Sequence, residues 1–154
     1  MNKIALRQVY FGGVTIRIPE IWNVETEELI EEDGQKSYSI SVSADGNDVR
    51  SIDISYGPMP EGSDAYTEAC GTFQEVMEEE DMAVNEEPII CFGFQDYKAY
   101  GFNVWTDDGL PCFFFCIDIN SEGKTNLLTV LVSAGNNEDL EALMDFTEEY
   151  LSVK

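Results

Sequence analysis

Apolar and polar positions along the chain divide it into a run of strands, a helix, a second run of strands and a closing helix. Tyr10 and Phe11 lead into Gly12-Gly13, after which Val14, Ile16 and Ile18 alternate with Thr15 and Arg17. A period of two broken by a glycine pair predicts two short strands around a tight turn, with Pro19 stopping the second. Trp22, Val24 and Leu29 mark another extended stretch that ends at Asp33-Gly34. Tyr38, Ile40 and Val42 then alternate with Ser39, Ser41 and Ser43, and Ile52, Ile54 and Tyr56 alternate with Ser51, Asp53 and Ser55. These two segments predict a hairpin with one wet face, turning through residues 44–48. The stretch Gly57-Pro58-Met59-Pro60-Glu61-Gly62 reads as a loop, neither helix nor central strand, because prolines remove backbone donors.

Ser63 and Asp64 are favourable helix caps, and Tyr66, Ala69, Cys70, Phe73, Val76 and Met77 repeat at helical spacing behind them. That first amphipathic helix runs into Glu78-Glu79-Glu80-Asp81, where carboxylates oppose the negative end of the helix dipole and favour fraying. From Pro88 onward the pattern changes. Residues 89–94, 100–105, 112–119 and 127–132 are nearly continuous apolar runs, so both faces of those strands need cover. Turn sequences at 107–109 and 120–123 predict an antiparallel meander. Asn136 or Asn137 then caps a last helix with apolar positions Leu140, Leu143, Met144, Thr147, Tyr150 and Leu151, the stripe widened by Phe146. The expected fold is therefore α+β. It is a three-layer α/β/α sandwich, with a mainly antiparallel sheet of about six to eight strands and two main helices on opposite faces. One domain over residues 1–154 suits the length, since no linker, repeat or low-complexity tract interrupts it.

Charge narrows the partners. The chain carries 31 Asp and Glu against 8 Lys and Arg, a formal net of −23. Affinity for nucleic acid comes largely from Lys and Arg displacing counterions, so direct binding to it is not expected. Anionic lipid is disfavoured in the same way, for no polybasic cluster is present. Basic proteins and cations are compatible partners. No segment looks like a secretory signal or a membrane span, which gives a cytoplasmic expectation.

Candidate chemistry is sparse. The chain has no histidine, so Ser-His and Cys-His nucleophile pairs, histidine bases and histidine metal ligands are all excluded. Glu122-Gly123-Lys124-Thr125 ends like a phosphate-binding loop. The glycine required five residues earlier is replaced by Asp118, and a strand follows instead of a helix, so a hairpin turn is expected. Asp45-Gly46-Asn47-Asp48 opens like a calcium loop but has Arg50 and Tyr56 where glycine and glutamate are needed. Cys70, Cys91, Cys112 and Cys116 contain no C-x2-C pair, and all four sit in apolar sequence, which predicts reduced core thiols. Four residues along a strand separate Cys112 from Cys116 by about 13 Å, too far for a disulfide.

The acidic run from Glu78 to Asp81, continued by Glu86 and Glu87, is either a docking surface or a solvated helix end. The aromatics from Phe92 to Phe115 either line a pocket or pack the core. With this many acids, two carboxylates about 5–9 Å apart are bound to occur somewhere, so such a pair says nothing by itself. No catalytic, cofactor-binding or metal-binding residue is therefore assigned, and no cofactor is expected.

The stretch Gly13-Val14-Thr15-Ile16-Arg17-Ile18-Pro19-Glu20-Ile21-Trp22 resembles the strand, proline, short turn and tryptophan that begin many PsbP-like and Mog-like domains. The order of the remaining elements is similar to that fold. Within the group the chain is most similar to a small set of bacterial proteins of unknown function. The resemblance implies an α/β/α sandwich that works by binding another protein and shares no active site. The expectation is a non-catalytic module whose acidic surface meets a basic protein. The alternative is a carboxylate-dependent hydrolase or a small-ligand binder with an aromatic pocket.

Overall fold

The computed structural model describes residues 5–78, 82–84, 89–106, 108–121 and 123–153. The first hairpin forms as the alternation predicts: β1 (Leu6–Phe11) and β2 (Val14–Pro19) pair antiparallel, with Phe11 opposite Val14. Gly12 and Gly13 both take positive φ, 61° and 92°, the backbone that a two-residue turn of this hand requires. The turn is also tight against the next layer. A side chain at Gly12 would run into the ring of Tyr38.

The next three strands form one flank of a large sheet: β3 (Asn23–Ile30), β4 (Lys36–Ser43) and β5 (Ser51–Pro58). Register places Ile40 opposite Ile54 and Val42 opposite Ile52, all four buried, while the intervening serines share the other face. Strand β5 continues through Gly57 and Pro58, which corrects the expectation of a loop there. Proline is tolerated because the registered pairing with β4 ends at Tyr56, and only the neighbour on the opposite side pairs this far.

Helix α1 (Ala65–Glu78) begins where its caps predict: the Thr67 N–H donates to Asp64 Oδ1 at 2.8 Å. Its buried side is Ala65 and Ala69, with Phe73 and Val76 half-buried; Tyr66 is 51% exposed and lies outside the stripe, touching Tyr100 edge-on. The run 79–81 and residues 85–88 lie outside the described residues, and with them the expected fraying and the acidic segment. Between them a short strand that periodicity did not predict, β6 (Met82–Val84), pairs with the distal half of a later strand.

The apolar runs become a meander of β7 (Ile90–Phe94), β8 (Tyr97–Thr106), β9 (Pro111–Ser121) and β10 (Lys124–Ser133). Among the described residues the large sheet has the order β3-β4-β5-β10-β9-β8-β6, with β7 also on β8, eight strands with every pair antiparallel. Strand β9 shows why the late strands are apolar on both sides. Cys112, Phe114 and Cys116 pack toward α1, whereas Phe115, Ile117 and Ile119 join the larger core on the opposite face.

That opposite face is covered by α2 (Asn137–Tyr150), capped by Asn136, whose side chain accepts from the Asp139 N–H. Leu140, Leu143 and Thr147 are its buried residues. Leu151, expected in the helix, instead opens β11 (Leu151–Val153), which pairs with β2. A second sheet of order β1-β2-β11 therefore lies beside α2, an element that the sequence reading did not separate from the main sheet. Val14, Ile16 and Ile18 from this sheet share one core with Ile40, Val42, Ile52 and Ile54 from the large one. Layering is thus α1, the large sheet, then α2 together with the small sheet. This is the expected three-layer α/β/α sandwich.

Two long-range contacts tie the layers. The Ala65 N–H at the start of α1 donates to Asp118 Oδ1 on β9 at 2.8 Å. At the end of α2, Gln95 from the β7–β8 turn donates its side-chain amide to the carbonyls of Glu148 and Leu151. The last turn of α2 has no basic residue, so this amide supplies donors that lysine or arginine would otherwise provide. Gln95 takes a left-handed backbone, φ 55°, and its own N–H donates to Glu148 Oε2 at 2.6 Å.

Candidate binding cleft beside helix α2

The corner between β2 and β3 is built by Pro19, which ends β2, and by a tight turn in which the Trp22 N–H donates to the Pro19 carbonyl at 3.0 Å. Arg7 from β1 donates to the Trp22 carbonyl, and the Glu20 N–H donates to the Ala5 carbonyl at 2.8 Å. This pinned corner holds the Trp22 indole, only 4% exposed, against α2 and leaves Ile21 76% exposed. A cleft of about 470 Å³ opens between corner and helix, lined mainly by Pro19, Ile21, Trp22, Leu143 and Phe146, with Ala5 and Ala142 beside them. Its volume and apolar walls fall in the range of small-molecule and side-chain pockets.

Among the described residues lining the cleft, one is a cation. Arg50, from the turn before β5, lies over the Trp22 ring with its guanidinium carbon 5.4 Å from the centroid. Its charge is already matched. Asp48 accepts from Arg50 Nη2 at 2.6 Å and from Nε at 3.0 Å with both oxygens. The hydrogen bonds from Arg50 hold the Asp48 carboxyl below its ordinary range, and Asp48 in turn raises Arg50. Asp139 in the first turn of α2 adds to the latter effect, and Glu20 lines the cleft. Among the described residues, Glu20, Asp48 and Asp139 therefore outnumber Arg50 and Arg7 around the corner, and the balance there is slightly negative.

A second cleft, about 340 Å³, lies on the other flank of α2 between Phe92, Phe113, Leu140 and Met144, with Glu141 and Asp145 at its edge. A third, about 330 Å³, lies on the opposite face, where α1 stops short of β4 and β5; Thr72 and Val76 face Ser39, Asp53 and Ser55 there.

The motifs weighed from sequence come out as structure. Asn120 and Ser121 pair with Thr125 and Lys124 at the end of the β9–β10 hairpin, with Thr125 Oγ1 donating to Asn120 Oδ1 at 2.8 Å, while Glu122 lies outside the described residues. Asp118, where a phosphate-binding loop needs glycine, is the acceptor at the head of α1. The turn at 44–50 holds the Asp48–Arg50 pair. Among the aromatics, Phe94, Phe102 and Phe115 are buried and stack on neighbours 5.0–5.3 Å away, so they are core; Phe92 and Phe113 reach the second cleft. All four cysteines are free. Cys112 and Cys116 are buried as expected, and burial first, then Glu68 and Asp118, pushes the Cys116 thiol up to about 12, which leaves it a poor nucleophile. Cys91, expected in the core, is exposed among the described residues; it stands opposite Tyr100 on β8. Among the described residues no group of three or more His, Cys, Asp and Glu is arranged to hold a metal ion, and no helix is long and apolar enough to cross a membrane.

The first cleft was not anticipated. Its walls come from residues 5, 19–22, 50 and 142–146, which no local window brings together. One signal was present: Phe146 widens the stripe of α2 beyond what packing on a sheet requires.

This architecture is a PsbP-like fold. The chain is similar to the solved structure of cyanobacterial PsbP (CyanoP) from Synechocystis, with a TM-score of 0.59 and 13% identity over 99% of this chain and 95% of that one. It is also similar to LpqN of Mycobacterium tuberculosis, a protein involved in cell envelope biogenesis, with a TM-score of 0.55 and 16% identity over 99% and 92% of the two chains. No family model matches the sequence, and no curated protein matches it. At these identities the likeness establishes the fold, and function has to come from the site.

Proposed function

We propose that the chain is a non-catalytic binding module for a basic protein. The observation that carries this is the acidity of α2, whose residues Glu138, Asp139, Glu141, Asp145 and Glu149 are exposed and whose own sequence contains no Lys or Arg. Strand β3, at the end of the large sheet, adds Glu25 and Glu27, also exposed, beside Glu28, which Lys36 pairs. Among the described residues two ion pairs form, Lys36–Glu28 and Arg50–Asp48, each on an open surface. Clustered like charges cost stability through repulsion and raise the encounter rate with a cationic partner.

A general acid is not supplied by the carboxyls that their surroundings move, since Asp48 and Asp64 both move down. A general acid near neutral pH needs the opposite shift. The unpaired thiols support a reducing compartment, in keeping with a cytoplasmic location. The same acidity argues against nucleic acid and anionic membrane as partners.

The test is affinity capture on the immobilised chain from lysate at about 50 mM and about 500 mM salt, with mass spectrometry of what is retained. Exposed charges are screened beyond about 10 Å at 0.1 M and about 3 Å at 1 M. A basic protein retained at low salt and lost at high salt supports the proposal. A catch indifferent to salt opposes it. The 470 Å³ cleft favours a second reading, a small apolar ligand held between corner and helix.

A further inference from the structure

The cleft beside α2 and the acidity of α2 meet on one surface. Ala142, Leu143 and Phe146 form one cleft wall, while Glu138, Glu141 and Asp145 stand exposed on the same helix and Glu20 lines the opposite side. An anionic ligand is disfavoured here, because Asp48 already occupies Arg50 Nε and Nη2, and Asp139 lies close enough to act on the same guanidinium. A neutral small molecule fills the apolar walls without engaging the acids. A basic segment carrying one large apolar side chain engages both at once.

We infer that this cleft is the docking site for such a segment. Its apolar anchor sits among Pro19, Trp22, Leu143 and Phe146, and Lys or Arg flanking the anchor meets Glu20 on the cleft wall and, across the exposed side of α2, Glu141 and Asp145 at the edge of the second cleft. The inference rests on the basic-partner reading and adds the place and the form of the contact. Interfaces of this kind draw most of their energy from one desolvated anchor, with rim charges setting encounter rate and salt dependence. The second cleft, on the other flank of α2, has the same design of apolar floor and acidic edge. A partner chain laid across the helix meets it next.

The experiment is selection of a phage-displayed library of 12-residue peptides on the full chain, followed by calorimetric titration of synthetic consensus peptides. Three variants provide the mapping. Ala142→Phe fills the cleft from an exposed helix position, Ile21→Asp alters the exposed lip, and the double Glu141→Lys/Asp145→Lys reverses the charge on the exposed side of α2 between the two clefts. Circular dichroism confirms that each remains folded. A Trp105→Phe background leaves Trp22 as the single tryptophan, so peptides lacking tryptophan report contact through its emission.

The expected consensus places Lys or Arg around one Phe, Leu or Ile. Its affinity falls tenfold or more in Ala142→Phe and Ile21→Asp, and the charge-reversed variant binds weakly with a flattened salt dependence. Basic, salt-sensitive peptides that bind Ala142→Phe as well as the wild type overturn the docking site and leave the basic-partner reading standing. Selection of neutral or acidic peptides with flat salt dependence overturns both. Failure to select any peptide overturns the docking site, as does saturable micromolar binding of octyl glucoside at Trp22 that no cationic peptide displaces, which assigns the cleft to a small molecule.

Discussion

Replacing Asp118 tests how α1 is held to the sheet. The Asp118 carboxylate takes the Ala65 N–H at 2.8 Å, half-buried, across 53 residues of sequence. Hydrogen bonds to charged groups contribute about 1.5–3 kcal/mol net, and loss of a helix cap costs about 0.5–2 kcal/mol. The Asp64 carboxylate still accepts from the Thr67 N–H, so one cap remains. About 1.5 kcal/mol is therefore expected for Asp118→Ala, and about half of that for Asp118→Asn, which keeps an acceptor oxygen but loses the charge favoured at a helix N-terminus.

Two readouts separate the effect. Urea unfolding gives the stability, with a lower midpoint and an unchanged slope. Thiol labelling gives the opening of α1, because Cys116 is fully buried beneath Ala65 and Ala69. In a Cys70→Ser/Cys91→Ser background, labelling of Cys116 mapped by mass spectrometry quickens about tenfold, since about 1.4 kcal/mol is a factor of ten in the open population. A change below about 0.3 kcal/mol with unaltered labelling refutes the anchoring role. Equal damage from alanine and asparagine refutes the part played by charge.

Other perturbations have defined outcomes. Gly101→Ala places a Cβ 2.7 Å from that of Phe115 and against the Phe114 backbone in the middle of the meander; a loss of at least about 3 kcal/mol by urea unfolding is expected, and a loss below about 1 kcal/mol contradicts it. Gln95→Ala removes two donors from the end of α2, so a cost of about 1–2 kcal/mol and faster amide exchange at Leu151–Val153 are expected. The depressed Asp48 carboxyl contributes stability that is present above the unfolded value of 3.8 and is lost as pH falls through its lower folded value. Both partners are about two-fifths exposed, so Asp48→Asn costs under about 1 kcal/mol at pH 7, and the deficit closes in urea titrations carried below pH 4.

What the chain reveals before folding is set by the range over which its signals act. Ser39, Ser41 and Ser43 between Tyr38, Ile40 and Val42 declare a strand with one wet face, because side chains alternate across a sheet whatever lies beyond. The unbroken run at 112–119 declares a strand covered twice, and with it the three layers. Leu151–Val153 gives no such signal, since three residues after a helix continue its apolar stripe as well as they begin a strand. Gly57-Pro58 misleads because a proline excludes a strand only where both neighbours need its N–H. Cys91 looks like core, yet one apolar run cannot tell which of its two faces a distant helix reaches. The cleft is the extreme case. Pro19, Trp22, Arg50 and Phe146 meet only through the packing of the small sheet beside α2.

The most direct test of the central claim is the affinity of the basic protein recovered by capture, titrated at about 50 and about 200 mM salt against the wild type and the Glu141→Lys/Asp145→Lys variant. A fall of tenfold or more between the two salts for the wild type, with the variant weaker and nearly flat, is the predicted result. Equal affinity at both salts, unchanged in the variant, would contradict the claim that the acidic face of α2 selects the partner.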